Sequence, residues 1–170
     1  VAEAIYIDRS TTLKQAIESG AIGGGSGQLS SGRGYTQAHL RGEIINIENW
    51  TFAGCQGLAS VIIHNNVTNV GTGTFGECNL DYLVVGTNVQ NIGEYNSTPT
   101  KVVWLTNTPP KGYSNLSGAI NYVSNENYNN DYRTKVVYKY LSSFFESDGI
   151  VYVPVNPSAR TCDAISIYGM

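Results

Sequence analysis

The sequence predicts a mostly β fold with short helical turns: a right-handed solenoid of about three coils with parallel strands, an N-terminal strand-helix cap and extra C-terminal strands. The first observation behind this is a repeat. Ile44-x-x-Ile47-x4-Phe52-x2-Cys55-x2-Leu58-x2-Val61-x-Ile63 is followed by Val67-x-x-Val70-x4-Phe75-x2-Cys78-x-Leu80-x2-Leu83-x-Val85, and then by Val89-x-x-Ile92-Gly93. The second is its period, 22 to 23 residues. A unit that short cannot bury its own apolar face, so neighbours must stack to share a core. The third is the strand pattern within each unit, in which Val61 and Ile63, or Leu83 and Val85, take one side and their neighbours the other.

Taken in order, residues 1–9 read as a strand with Ile5 and Ile7 on one face and Tyr6 on the other. Ser10 or Thr11 then caps a short helix striped by Leu13, Ala16 and Ile17 and ended by Gly20. This is the cap a solenoid needs over its first coil. Residues 23–34 are a Gly- and Ser-rich loop, and His39 falls in the connection before the repeats. Residues 1–43 therefore form cap and loop, residues 44–124 the solenoid, and residues 125–170 a Tyr- and Asn-rich connection with a C-terminal β segment that reads as the start of a second unit.

Inside the solenoid, residues 51–55 and 74–78 suit single helical or 3₁₀ turns, with Phe52 and Phe75 plugging the core opposite the sheet. A third strand places Val102 and Trp104 inside. Ile62, Val84 and Val103 then form an outward apolar ladder, expected to be exposed. Ser97 stands where a third Phe would fall, and Thr108-Pro109-Pro110 interrupts pairing because proline lacks the amide donor, so the solenoid is expected to close there. Residues 120–123 add a short strand, residues 125–134 a turn-rich connection, and residues 136–140, 150–155 and 161–167 further strands.

Composition excludes several functions. Charged residues are 14% of the chain and the net charge is -3, with no basic patch, which argues against a nucleic-acid partner. No apolar run approaches the roughly 20 residues that span a bilayer, so no direct membrane insertion is expected. The chain opens on Val1 without a basic-then-apolar leader and reads as a mature or excised fragment. Cys55, Cys78 and Cys162 lack metal-ligand spacing, and no metal or other cofactor is expected. Cys55 and Cys78 occupy one slot of successive repeats, where stacked side chains point the same way, so they read as buried free thiols.

An enzyme needs a constellation, and none is present in the sequence. His64 reads as a solvated residue at a strand end, an arrangement of Cys162 and His64 with an Asp is disfavoured, and Gly23-Gly24-Gly25-Ser26-Gly27 lacks the ending of a phosphate loop. The chain is read as non-catalytic. The 12 tyrosines, six of them between Tyr113 and Tyr140, suit either contact with a protein or glycan or packing over the solenoid end.

The segment Ile47-Glu48-Asn49-Trp50-Thr51-Phe52-Ala53-Gly54-Cys55-Gln56-Gly57-Leu58-Ala59-Ser60-Val61-Ile62-Ile63 resembles the BspA-like leucine-rich repeats of bacterial cell-surface proteins. The second copy, Val70 to Val85, has Thr74 and Glu77 at the Ala and Gly positions of that pattern and is one residue shorter after Cys78. The resemblance covers residues 44–123 well and the rest loosely, and it carries no catalytic residues across. It implies a leucine-rich-repeat module, extracellular or on the cell surface, that adheres to a host or microbial surface protein or glycan. The sheet face that the strand alternation assigns to Ile62, His64, Tyr82, Val84, Val103 and Leu105, with the neighbouring loops, is the expected ligand-binding surface. The alternative is a structural subunit of a surface filament or phage-type fibre, self-associating through exposed solenoid ends.

Overall fold

The computed structural model describes residues 4–9, 36–116, 118–123 and 138–140. Ten strands follow in chain order: β1 (Ala4–Ile7), β2 (Gln37–Leu40), β3 (Asn46–Ile47), β4 (Ser60–Ile63), β5 (Asn69–Val70), β6 (Tyr82–Val85), β7 (Asn91–Ile92), β8 (Lys101–Trp104), β9 (Ile120–Val123) and β10 (Tyr138–Tyr140). They form two sheets. One runs β1-β2-β4-β6-β8-β9-β10 and the other β3-β5-β7, and every pairing is parallel. From β2 to β8 the chain gives one strand to each sheet in turn, which makes a β-solenoid of about four turns.

The inward rows of the larger sheet are those the alternation assigns. Ala38 pairs in register with Val61, Val61 with Leu83 and Leu83 with Val102, and Leu40, Ile63, Val85 and Trp104 join them in the buried core. Facing them from the smaller sheet are Ile47, Val70 and Ile92, with Ile44, Val67 and Val89 at the bends. Each such side chain contributes about 1.5–3 kcal/mol when fully buried, so the shared core dominates the coil-to-coil cohesion. Trp104 is fully buried, and its indole Nε1–H donates to Asn121 Oδ1 at 2.7 Å, which satisfies the one polar atom that its burial would otherwise strand.

The bends are single i→i+3 turns, as expected: Ala53 N–H donates to the Trp50 carbonyl and Cys55 N–H to that of Phe52. Phe52 and Phe75 stack at 5.6 Å and 9° between centroids and planes. Cys55 and Cys78 are buried free thiols. The Cys78 thiol donates to the Phe52 carbonyl at 3.0 Å, and burial first, then Cys55, pushes its pKa up to about 12.

Three features depart from the sequence reading. Gln37–Leu40, with His39, is a strand paired between β1 and β4 in the larger sheet and not a loop; its polar outward residues hide the alternation. The missing third Phe leaves no gap in polar satisfaction, because buried Asn96 accepts from Phe75 N–H through Oδ1 and donates through Nδ2 to the Gly71 and Gly93 carbonyls. And Thr108-Pro109-Pro110 does not close the larger sheet. A 3₁₀ turn at Tyr113–Leu116 follows it, and β9 and β10 extend the sheet in parallel. The cap helix with Leu13, Ala16 and Ile17, the loop at 23–34, residues 125–134, the strands at 150–155 and 161–167, and Cys162 lie outside the described residues.

Candidate functional site

The expected ligand face does not have the expected exposure. Ile62, Val84 and Val103 do share one row of the larger sheet, in register, pointing away from the core. All three are nevertheless at 0% exposure, and Leu105 is at 1%. Alternation dictates which side of a strand a side chain takes, not whether that side is covered. Of the six residues expected there, only His64 and Tyr82 are part-exposed.

Those two are the ends of one polar network, joined by residues that sequence reasoning passed over. Gln37 Nε2 donates to the Tyr82 hydroxyl at 2.9 Å and to Ser60 Oγ at 3.1 Å. Its Oε1 faces His39 Nε2 at 3.0 Å. An amide oxygen only accepts, so His39 carries its proton on Nε2, and its bare Nδ1 accepts from His64 Nε2–H at 3.0 Å. Tyr6 stacks on His39 at 4.4 Å, and the Arg41 guanidinium lies 4.4 Å over Tyr6 while pairing with Asp8 at 2.8 Å. Burial, then the Arg41 charge, lowers the His39 pKa to about 4. Burial, then His39 and Arg41, lowers that of His64 to about 3. Both imidazoles are therefore neutral at pH 7 and engaged with each other, far from the pKa near 7 that suits a general base.

The opposite character appears at the bend after the smaller sheet. Trp50, Gly73 and Tyr95 occupy one slot in three successive coils, with φ of 62°, 64° and 61°. Left-handed backbone suits Gly73 and strains a bulky aromatic. Trp50 and Tyr95 are nonetheless 55% and 73% exposed, and their rings lie 6.5 Å apart at 17°. A Cβ on Gly73 would stand 2.2 Å from Trp50 Cε3 and Cζ3, so the glycine is the seat of the indole.

Four residues upstream in each coil, Asn46, Asn69 and Asn91 form an amide ladder: Asn69 Nδ2 donates to Asn46 Oδ1, and Asn91 Nδ2 to Asn69 Oδ1. Asn49 Oδ1 accepts from Thr72 N–H at 2.8 Å, and Thr74 Oγ1 donates to the Glu48 carbonyl at 2.9 Å. Glu48 and Glu94 flank the rings in sequence, are exposed, and make no ion pair among the described residues. The sequence carried a signal for this corner, since the 22–23 residue period links Trp50, Gly73 and Tyr95 as it links the core residues. No group of three or more His, Cys, Asp or Glu able to hold a metal ion occurs among the described residues.

Parallel coils on a shared core, with fixed side chains displayed at the bends, define a leucine-rich-repeat type of solenoid scaffold. Residues 30–101 match the family model described as BspA type leucine rich repeat region (6 copies), and that stretch of the chain is a BspA-type leucine-rich repeat region. Such repeats are interaction modules, typically non-enzymatic scaffolds, and the family is associated with bacterial surface proteins. No curated protein and no solved structure matches the chain. No helix among the described residues is long and apolar enough to cross a membrane.

Proposed function

We propose that the chain is a non-enzymatic binding module displayed outside the cell, which adheres to a host or microbial surface protein or glycan. The observation that carries this reading is the set of exposed large apolar side chains held on rigid, hydrogen-bonded coils: Ile45 at 58% exposure together with Trp50 and Tyr95. Solvent-facing aromatics on a fixed frame supply contact area without a further ordering cost on binding. The outward row of Ile62, Val84, Val103 and Leu105 is buried and so adds no exposed apolar surface to this reading. His64 and Tyr82 remain the part-exposed members of that face.

The test is immobilised folded protein presented to extracellular-matrix glycoproteins and to a glycan array, with antibody labelling of intact source cells. Saturable capture of one class and surface labelling are expected; no capture in either format overturns the module, and labelling only after lysis overturns the display. The second reading, a self-assembling subunit, draws on β1 and β10, each of which has one described neighbour in its sheet. Light scattering across concentration separates them, since a concentration-independent monomer removes the assembly reading.

A further inference from the structure

We propose that Trp50, seated on Gly73, and Tyr95, stacked beside it, form a stacking site for a neutral hexopyranosyl residue of a glycan. The proposal deepens the binding-module reading and rests on it. Two features mark this corner, the first of them shared with Glu77 at φ 56° and the second its own. Two bulky residues sit in a backbone region that L side chains rarely adopt, at φ 62° and 61°, and such strain persists where the surrounding structure enforces it and clusters at ligand sites. The same two residues leave large ring surfaces in water, at 55% and 73% exposure, although the coil has a buried core into which aromatics such as Phe52 and Phe75 do fit.

The chemistry of the ligand follows from the shape and charge of the pair. The rings are stacked, with centroids 6.5 Å and planes 17° apart, and do not form the mutually perpendicular walls of a cage, so their exposed surfaces suit a flat, ring-shaped ligand better than a quaternary ammonium group. Aromatic faces carry negative quadrupole density, and the weakly positive C–H groups that line one side of a hexopyranose seat on them. Exposed Glu48 and Glu94, without a cationic partner among the described residues, disfavour phosphate, sulfate and nucleic acid. The amide ladder of Asn46, Asn69 and Asn91, four residues upstream of the aromatic slot in each coil, offers donors and acceptors suited to sugar hydroxyls.

The chain has two tryptophans, and Trp104 is buried, so a change in emission or in acrylamide quenching on adding a ligand reports Trp50. The probes are tetrasaccharides of glucose, mannose, galactose and N-acetylglucosamine, with tetramethylammonium and a sulfated disaccharide as contrasting ligands. At least one neutral tetrasaccharide is expected to blue-shift the emission and protect it from quenching. By isothermal titration calorimetry, which does not depend on the indole, Trp50→Ala and Tyr95→Ala should each weaken its binding at least tenfold, Trp50→Tyr should retain part of it, and Gly73→Ala, which displaces the indole, should weaken it as much.

Melting temperatures of the first two variants should stay level or rise, which a purely structural aromatic pair would not allow. Unchanged affinity in Trp50→Ala and Tyr95→Ala, or a response to tetramethylammonium or the sulfated sugar alone, overturns the stacking site. If the variants still capture a matrix glycoprotein as the parent does, the stacking site fails while the module reading stands. If neither parent nor variant captures anything, both fail.

Discussion

The outward face of the larger sheet and the bend at Trp50 treat unusual side chains in opposite ways. On the sheet, two histidines, a glutamine and a tyrosine are linked in one chain of hydrogen bonds, and the apolar row beside them is buried. At the bend, two aromatics stand on strained backbone with most of their surface in water. The contrast teaches that chemical interest and functional exposure are separate properties. Reactive residue types are neutralised on the sheet, while ordinary apolar ones are displayed at the corner.

The strongest way to break the comparison is to exchange an interior ring for a corner ring. Phe75→Ala should cost about 3–5 kcal/mol of stability, measured by urea unfolding, because its fully buried ring is stacked on Phe52. Trp50→Ala should fall within about 0.5 kcal/mol of the parent, as suits an exposed position. Similar losses for the two would erase the distinction between interior and corner.

A second prediction sharpens the view of the sheet side as a hydrogen-bonded network of neutral imidazoles. The folded pKa values of His39 and His64 lie below the ordinary 6.5, so the unfolded chain binds more protons between those limits. Stability is then complete above pH 6.5 and declines as pH falls toward about 4 and 3. After allowance for partial solvent screening at His64, the expected loss is roughly 2–4 kcal/mol. A urea midpoint that stays flat from pH 7 to pH 4 in the parent would show that the imidazoles are not held neutral, and His39→Gln with His64→Gln should flatten it.

A smaller effect concerns the backbone at the corner. Trp50→Gly should change stability by about 0.5–1 kcal/mol in the favourable direction, since glycine takes φ 62° without the left-handed penalty. A fall in melting temperature by calorimetry would mean that ring contacts with Gly73 and Tyr95 outweigh that relief. The smallest expected change is at Tyr95, where Tyr95→Asn, a residue tolerant of left-handed φ, should leave the urea midpoint within about 0.5 kcal/mol of the parent.

The repeat made the core legible in the sequence. Val61, Ile63, Leu83, Val85, Val102 and Trp104 all lie inside because a period of two within strands and of 22–23 between them leaves one consistent packing. The coil at Gln37–Leu40 was hidden because its outward positions are polar and it lacks the Phe and Cys of later units. Burial of Ile62, Val84 and Val103 was not legible, since alternation sets which side of a strand a side chain takes and not how exposed that side is. The aromatic corner was legible in part: its period is plain in the sequence, but positive φ at Trp50 and the closeness of Tyr95 arise only when the coils stack.

The asparagine ladder has a consequence for direction. Each amide donates toward the preceding coil, Asn91 to Asn69 and Asn69 to Asn46, so the three group dipoles align along the solenoid instead of cancelling. The row therefore has a donor end at Asn46 and an acceptor end at Asn91. A further coil or a second row would extend it head to tail, and a reversed one would set like ends together, so the stack possesses a polarity written in side chains as well as in the parallel run of its strands.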